Sequence, residues 1–246
     1  MGGISDVTYV AFGATIKSRK SVVYQAANDG MLHAVDASNG NALWAYIPSF
    51  VIPKLNSLTS TTYNHAFTVD GTPTVRDVKT GGTWKTLLVG GLRAGGNGYY
   101  AIDITAPEFA SSTALAANVK WEFPNASTNS SIASNVGMSF GKPLIVNTAA
   151  GWVVLVTSGY NNSGDNKGHL FVLDPDTGAV LADINTGYGS SSSPAGLAQM
   201  AAYSTDGYSA SNVYAGDLNG NVFRFNLTGN NPATWTVTRI AVLTDP

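Results

Sequence analysis

The clearest structural signal in the sequence is the stretch VVYQAANDGMLHAVD, from Val22 to Asp36. It runs a short apolar strand into a turn that contains Gly30 and then into a second strand that ends on Asp. Three further copies of this strand–turn–strand pattern lie at residues 87–103, 153–174 and 213–226. A long repeat built only of strands and turns is typical of β-propeller blades, because each blade needs a neighbour to bury its faces.

Each copy is extended on both sides by further strand-like sequence. An outer strand follows each copy, at residues 41–47, 119–123, 179–184 and 234–242, and turns such as DASNG and DPDTG close tight hairpins before two of them. Before the last three copies lies a segment opened by proline, at Pro73, Pro143 and Pro194. In the first blade we expect the opening strand within residues 7–15.

The pattern therefore predicts an all-β protein, a β-propeller of about four four-stranded blades. We place the blades at residues 7–47, 72–123, 140–184 and 193–242, all within a single domain that covers residues 1–246. Trp44, Trp121 and Trp235 recur at repeat spacing near the outer strands, which favours core anchors between blades over a ligand cage.

Composition excludes several classes of function. Charged residues make up 11% of the chain and the net charge is −2, so no basic stripe is available for nucleic acid or an anionic membrane. Cysteine is absent, which excludes disulfides and thiol catalysis. No apolar stretch is long enough for a transmembrane helix. The sequence contains no signal peptide, and Met1-Gly2-Gly3 is typical of an added start, so an export signal has been removed on this interpretation.

The motifs that could carry catalysis or ligand binding are weak. GMSFG places Ser139 in a G-x-S-x-G pattern, but a strand-like segment follows it where a hydrolase elbow needs a helix. GGLRAGGNG (Gly90 to Gly98) also precedes a strand, unlike a phosphate cradle. The loop NNSGDNKG offers Asp165 as its one carboxylate, and His33, His65 and His169 lack metal-ligand spacing. We predict no catalytic residue and no resident cofactor.

Two long connectors, residues 48–71 and 124–139, interrupt the blades. Loops of this length often carry function, and binding residues concentrate on loops of rigid scaffolds. In the first connector we select Tyr63, His65 and Phe67 as interaction residues.

Five segments in order carry a family resemblance: ANDGMLHAVDASNGNALWAYIP, GGLRAGGNGYYAIDIT, GMSFGKPLIV, SGYNNSGDNKGHLFVLDPDTG and VYAGDLNGNVFRFNL. Together they resemble the C-terminal propeller of the PilC/PilY-type type IV pilus biogenesis factors and adhesins. The resemblance implies a non-enzymatic, exported protein at the outer membrane, pilus tip or cell surface. It would support pilus assembly, adhesion and twitching motility, with pilins or minor pilins and a host or abiotic surface as partners.

This sequence differs from the pattern of the family that it resembles in two respects. The family's calcium loop precedes the strand matching VYAGDL, and the corresponding residues 203–212 hold only Asp206 as a carboxylate, so we expect weak calcium binding or none. The family's propeller has more than four blades. Either this sequence is part of a larger propeller, which we expect, or this member closes a smaller ring.

Two other functions stay open at this point. The first blade also resembles the docking repeat of quinoprotein dehydrogenases that use pyrroloquinoline quinone, although we find no Glu, Asn and Asp cluster for their calcium. The other alternative is a scaffold such as an outer-membrane assembly lipoprotein, which would lack the GMSFGKP and YAGDL segments.

Overall fold

The structure, a computed structural model, describes residues 6–204 and 208–243. Within them, 15 strands form four antiparallel sheets that follow one another along the chain. The strands are β1 (Val22–Ala26), β2 (Leu32–Asp36), β3 (Ala42–Tyr46), β4 (Thr74–Thr80), β5 (Thr83–Gly91), β6 (Tyr99–Asp103), β7 (Val119–Phe123), β8 (Leu144–Thr148), β9 (Gly151–Thr157), β10 (His169–Leu173), β11 (Val180–Asn185), β12 (Met200–Ser204), β13 (Ala210–Gly216), β14 (Asn221–Asn226) and β15 (Thr236–Val242).

Short helices lie between the sheets and within their loops. The α-helices are α1 (Val7–Ile16), α2 (Ser112–Asn118) and α3 (Ser130–Ser134), and the 3₁₀ helices are Ser49–Thr59, Arg93–Gly95 and Pro232–Thr234. The long 3₁₀ helix and α3 lie in the two connectors that separate the first three sheets.

The four sheets are consecutive propeller blades. Blade 1 contains β1–β3, blade 2 contains β4–β7, blade 3 contains β8–β11 and blade 4 contains β12–β15, with every strand paired to its sequence neighbours. The predicted all-β propeller is therefore confirmed. Pro73 and Pro143 directly precede β4 and β8, as expected, whereas Pro194 lies in a loop six residues before β12 begins at Met200.

The first blade corrects the prediction of four strands in each blade. Residues 7–15 do not form an opening strand but lie in α1, so blade 1 has three strands among the residues that the structure describes. The Asp6 side chain caps α1 by accepting a hydrogen bond from the Thr8 N–H. Helical spacing then brings Tyr9 and Phe12 together against Trp84, with ring centroids 4.6 and 6.4 Å away. A strand would have put these two aromatic rings on opposite faces.

Strand alternation divides the core into layers between blades. In β10, Phe171 and Leu173 belong to the layer shared with blade 2, while Leu170 and Val172 belong to the layer shared with blade 4. All four side chains are fully buried. Each such side chain contributes about 1.5–3 kcal/mol of burial free energy, so each blade is stabilised mainly by its neighbours.

The inner strands are also linked directly between blades. Thr74 at the start of β4 donates through Oγ1 to the Pro143 carbonyl at 2.8 Å. Arg76 donates through Nη1 to the Ile145 carbonyl in β8 at 3.0 Å, and its guanidinium lies 5.3 Å from the Trp152 ring. These polar contacts fix the register of blade 2 against blade 3.

The recurring tryptophans anchor blades, as the repeat spacing predicts. Trp121 and Trp235 are 5% and 6% exposed, and Trp44 is partly buried against the core between blades 1 and 2. Trp44 on β3 and Trp121 on β7 each reach a main-chain oxygen of the following blade. Trp235 lies just before β15 and donates instead within its own blade, to the Gly229 carbonyl at 2.8 Å.

Candidate interaction surface

The first long connector is tied to blade 2 at its beginning. Glu122 on β7 accepts hydrogen bonds from the Tyr46 hydroxyl at 2.7 Å, from the Ser49 N–H at 2.6 Å and from the Ser49 hydroxyl. Lys54 then donates from Nζ to the Gly95 carbonyl at 2.6 Å. The 3₁₀ helix of the connector is thereby held across blades 1 and 2.

The end of the connector is equally well anchored. Thr68 and Val69 are fully buried, and the Thr68 N–H donates to Oδ1 of Asn28 at 3.0 Å. A Cβ at Gly95 would lie 1.6 Å from the Thr68 oxygen, so only glycine lets the two loops approach this closely. Residues 60–67 therefore form a surface loop whose two ends are both held against blades 1 and 2.

The predicted interaction residues lie together in this presented segment. The Tyr63 and Phe67 side chains are 43% and 45% exposed, and His65 is exposed as well. The His65 and Phe67 rings meet edge to face with centroids 4.9 Å apart. The Tyr63 hydroxyl lies 3.4 Å from Nδ1 of His65 and accepts from the Ala66 N–H at 3.3 Å. We call these three residues the aromatic patch.

Ser139, the candidate nucleophile of GMSFG, is a buried crosslink. It is 1% exposed, and its hydroxyl donates to the Gly98 carbonyl at 2.8 Å while it accepts from the Leu92 N–H at 2.8 Å. The residues that follow lead into β8, with no helix between them. Such a hydroxyl joins two loops and is not presented to a substrate.

His169 is held between two carboxylates rather than exposed to a ligand. Its Nδ1 lies 2.6 Å from Asp183 and its Nε2 lies 3.0 Å from Asp165, and the residue is 2% exposed. Burial alone would lower the pKa of His169, but the hydrogen bonds and charges of Asp183 and Asp165 raise it above the usual value. This trio pins the β9–β10 loop to the outer strand of blade 3.

In the loop NNSGDNKG, the Asp165 carboxylate accepts hydrogen bonds from groups of the protein itself. Burial acts to raise the pKa of Asp165, yet hydrogen bonds from the Lys167 N–H and His169 hold it below its usual value. Asn185 donates to the second oxygen at 2.9 Å. Over residues 6–204 and 208–243, no group of three or more His, Asp or Glu side chains is arranged to hold a metal. Asp206, the weak calcium candidate, lies outside the described residues.

The glycine-rich hairpin between β5 and β6 is not a phosphate cradle, because it turns through a three-residue 3₁₀ helix into a strand. Arg93 opens the 3₁₀ turn of this hairpin. In the structure the guanidinium lies 5.4 Å from the Phe140 ring at the entrance of blade 3. Sequence reasoning missed this contact because Phe140 belongs to the GMSFG segment, 47 positions further along the chain.

Comparison with known proteins identifies the family. The model of the PilY1 β-propeller domain matches residues 4–241. The chain belongs to this family. The PilC/PilY resemblance is thereby confirmed, and it takes precedence over the quinoprotein and outer-membrane scaffold alternatives.

Two curated relatives and one solved structure show how far the similarity extends. The type IV pilus biogenesis factor PilY1 of Pseudomonas aeruginosa strain PAO1 is 40% identical over 227 residues, which cover 89% of this chain and 18% of the relative. A PilY1 homolog of Xylella fastidiosa strain Temecula1 is 35% identical over 248 residues, covering 95% and 16%. The crystal structure of the P. aeruginosa PilY1 C-terminal domain superimposes with a TM-score of 0.71 at 35% identity, covering 89% of this chain and 41% of that one.

The chain thus spans less than a fifth of the length of these curated relatives. Among the described residues, none of the helices has the length and apolar character needed to cross a membrane.

Proposed function

We propose that this propeller supports type IV pilus assembly as a non-enzymatic interaction domain of an exported protein at the cell surface. The observation that carries the proposal is the family match over residues 4–241, together with relatives named as type IV pilus biogenesis factors. Pilins or minor pilins are the partners that this assignment implies. Adhesion to a host or abiotic surface and twitching motility would follow from the same role.

The aromatic patch is the surface that we propose for a protein partner. Tyr63 and Phe67 expose apolar rings on a loop whose two ends are fixed to blades 1 and 2. Aromatic side chains are enriched in interface hot spots, because they bury a large area at a small cost in conformational entropy. A rigid base reduces that cost further, since the loop does not have to become ordered on binding.

The patch is tested by a chromosomal allele that carries Tyr63→Ala, His65→Ala and Phe67→Ala. We expect reduced surface pili or reduced attachment, with the protein still exported at the parental level. A matched control is Tyr188→Ala, since Tyr188 is 37% exposed on a different loop. If the triple variant shows parental piliation, twitching and attachment, the aromatic patch is not part of the interaction surface.

We propose that the chain catalyses no reaction, because of the chemistry of its candidate residues. The Ser139 hydroxyl is buried and bonded to main-chain atoms, and His169 is occupied by Asp165 and Asp183. Neither arrangement pairs a nucleophile with a base. Screening the purified chain against ester and peptide substrates tests this, and hydrolysis that Ser139→Ala abolishes in a folded protein would contradict it.

Attachment and motility test the biological role. We expect an in-frame deletion of the gene to reduce twitching zones and adhesion, and the full-length gene to restore both. A deletion strain that twitches and adheres like its parent would contradict the proposed role.

A further inference from the structure

A polar cleft lies between blades 2 and 3, at the end of the propeller where β5 turns into β6 and the chain enters β8. It has a volume of about 200 Å³. The residues that shape it are Gly71, Thr72, Arg93, Phe140, Gly141 and Lys142. Gln199 at its margin fixes one wall by donating from Nε2 to the Phe140 carbonyl at 2.8 Å.

The cleft carries two positive charges, and that of Lys142 has no counter-ion among the described residues. Lys142 is exposed and has no ion pair or side-chain hydrogen bond with any residue in 6–204 or 208–243. Arg93 forms a loose ion pair with Asp70, whose carboxylate oxygen lies 4.0 Å from Nε, too far for a hydrogen bond. Over those same residues, no Asp or Glu lines the cleft.

The Arg93 side chain is fixed in place despite being exposed. Its guanidinium lies over Phe140 at 5.4 Å, and the Phe140 ring stacks on Tyr160 with centroids 4.7 Å apart. Arg93 also has a φ of 48°, in the left-handed region that non-glycine residues rarely adopt. Stacking holds a guanidinium in one orientation while its N–H groups stay available for an anion.

Two buried main-chain donors line the same cleft. Gly71 and Gly141 are buried, and neither N–H donates a hydrogen bond to the described residues. Buried N–H groups nearly always have an acceptor, and a ligand in the cleft would supply one to these two. A Cβ at Gly71 would lie 2.1 Å from the Gly91 oxygen, and one at Gly141 would lie 2.2 Å from Oγ1 of Thr157. Only glycine therefore allows the main chain to form these walls.

We propose that this cleft binds the carboxylate of an acidic peptide segment. A planar guanidinium and two main-chain N–H groups match the two oxygens of a carboxylate, and Lys142 adds a second charge. The volume suits one Asp or Glu side chain. A chain with only 13 Lys and Arg residues and a net charge of −2 lacks the wider basic field that a polyanion would need.

The test is an NMR titration of the 246-residue chain with the peptide Ac-Gly-Gly-Glu-Gly-Gly-NH2. We expect saturable shifts at Gly71, Gly141 and the Arg93 side chain, with a dissociation constant on the order of a millimolar for a single side chain. The same peptide with Gln in place of Glu should bind at least tenfold more weakly. Arg93→Gln and Lys142→Gln should each lower the affinity for the Glu peptide by threefold or more.

The control variant is Arg239→Gln, since Arg239 also stacks on an aromatic ring, that of Tyr188 at 4.3 Å, but lies outside the cleft. It should bind the Glu peptide as the parent does. Unchanged binding in the Arg93→Gln and Lys142→Gln double variant, or equal binding of the Gln peptide, would overturn the proposal. Saturation by inorganic phosphate with no response to the Glu peptide would overturn the assignment to a carboxylate.

Discussion

The indole Nε1 of Trp121, on the outer strand of blade 2, donates a hydrogen bond of 3.0 Å to the main-chain oxygen of Pro175 in blade 3. The same relationship occurs one blade earlier, where Trp44 donates to the Pro107 oxygen at 3.0 Å. Each tryptophan therefore joins the outer strand of one blade to the segment after the third strand of the next. The contact recurs because the repeat places equivalent residues at equivalent positions.

Gly178 is expected to be sensitive to substitution, because Trp121 packs against it. Its φ is 68°, and a Cβ there would lie 2.7 Å from Cγ of Trp121. Gly178→Ala should therefore cost about 1–2 kcal/mol for the left-handed backbone and about 1–3 kcal/mol more for the clash. Urea unfolding measures the change.

Gly40→Ala provides the matched control for that measurement. Gly40 closes the equivalent turn of blade 1 with a φ of 77°, and a Cβ there meets no atom within 4 Å. Its cost should be limited to the backbone contribution, about 1–2 kcal/mol. Equal losses in the two variants would show that the approach of Trp121 does not constrain Gly178.

Two adjacent tyrosines are expected to respond differently to loss of the hydroxyl. The Tyr99 hydroxyl donates to the Thr157 carbonyl at 3.0 Å, whereas the buried Tyr100 hydroxyl has no hydrogen-bond partner among the described residues. Tyr99→Phe should cost about 1 kcal/mol, and Tyr100→Phe should be neutral or stabilising because it removes an unsatisfied buried group. Thermal melting of both variants tests this, and the reverse order would contradict it.

Ser139→Ala should lower stability. The change leaves the buried Leu92 N–H without its acceptor and the Gly98 carbonyl without a donor. Such a loss costs about 1–3 kcal/mol, visible as a lower urea midpoint. Ser163→Ala is a suitable control, because the exposed Ser163 hydroxyl makes, within residues 6–204 and 208–243, only a 3.4 Å hydrogen bond to the Ser134 oxygen. A Ser139→Ala protein as stable as its parent would show that the crosslink contributes little.

Stability should depend on pH through His169. Because the pKa of His169 is raised in the folded protein, its contribution is fully present below the ordinary value of 6.5 and is lost as the pH rises through the folded value. The pKa of Asp165 is lowered, so its contribution is present above 3.8 and is lost as the pH falls through the folded value. Between those limits the trio of Asp165, His169 and Asp183 stabilises most.

His169→Gln tests the loss of stability that is expected at higher pH. Thermal midpoints measured from pH 5 to pH 9 should fall in the parent above the ordinary histidine pKa and stay flatter in the variant. Parallel profiles over that range would mean that His169 does not titrate as its two carboxylate neighbours require.

The strand pattern predicted the blades because their core layers follow a period of two. In blades 2 to 4 each strand–turn–strand copy became the two central strands, as at β9 and β10, and in blade 1 the copy became β1 and β2. The same reasoning failed for residues 7–15, because an apolar segment with Tyr9 and Phe12 three positions apart satisfies a helix as well as a strand. Trp84, which decides between them, lies more than 70 residues away in the sequence.

The candidate surfaces could be predicted only where one loop supplies all the residues. Tyr63, His65 and Phe67 are close in sequence and meet in space. The cleft formed by Arg93 and Lys142 joins two loops of different blades, so its charges are brought together only by folding. No local pattern marks such a pair.

The amount of surface pili in a strain that lacks this gene tests the central proposal most directly. Pili sheared from equal numbers of parent, deletion and complemented cells would be compared by the quantity of major pilin recovered. We expect a large loss of sheared pilin in the deletion strain, with recovery on return of the full-length gene. Parental amounts of sheared pilin in the deletion strain would contradict a role in pilus assembly.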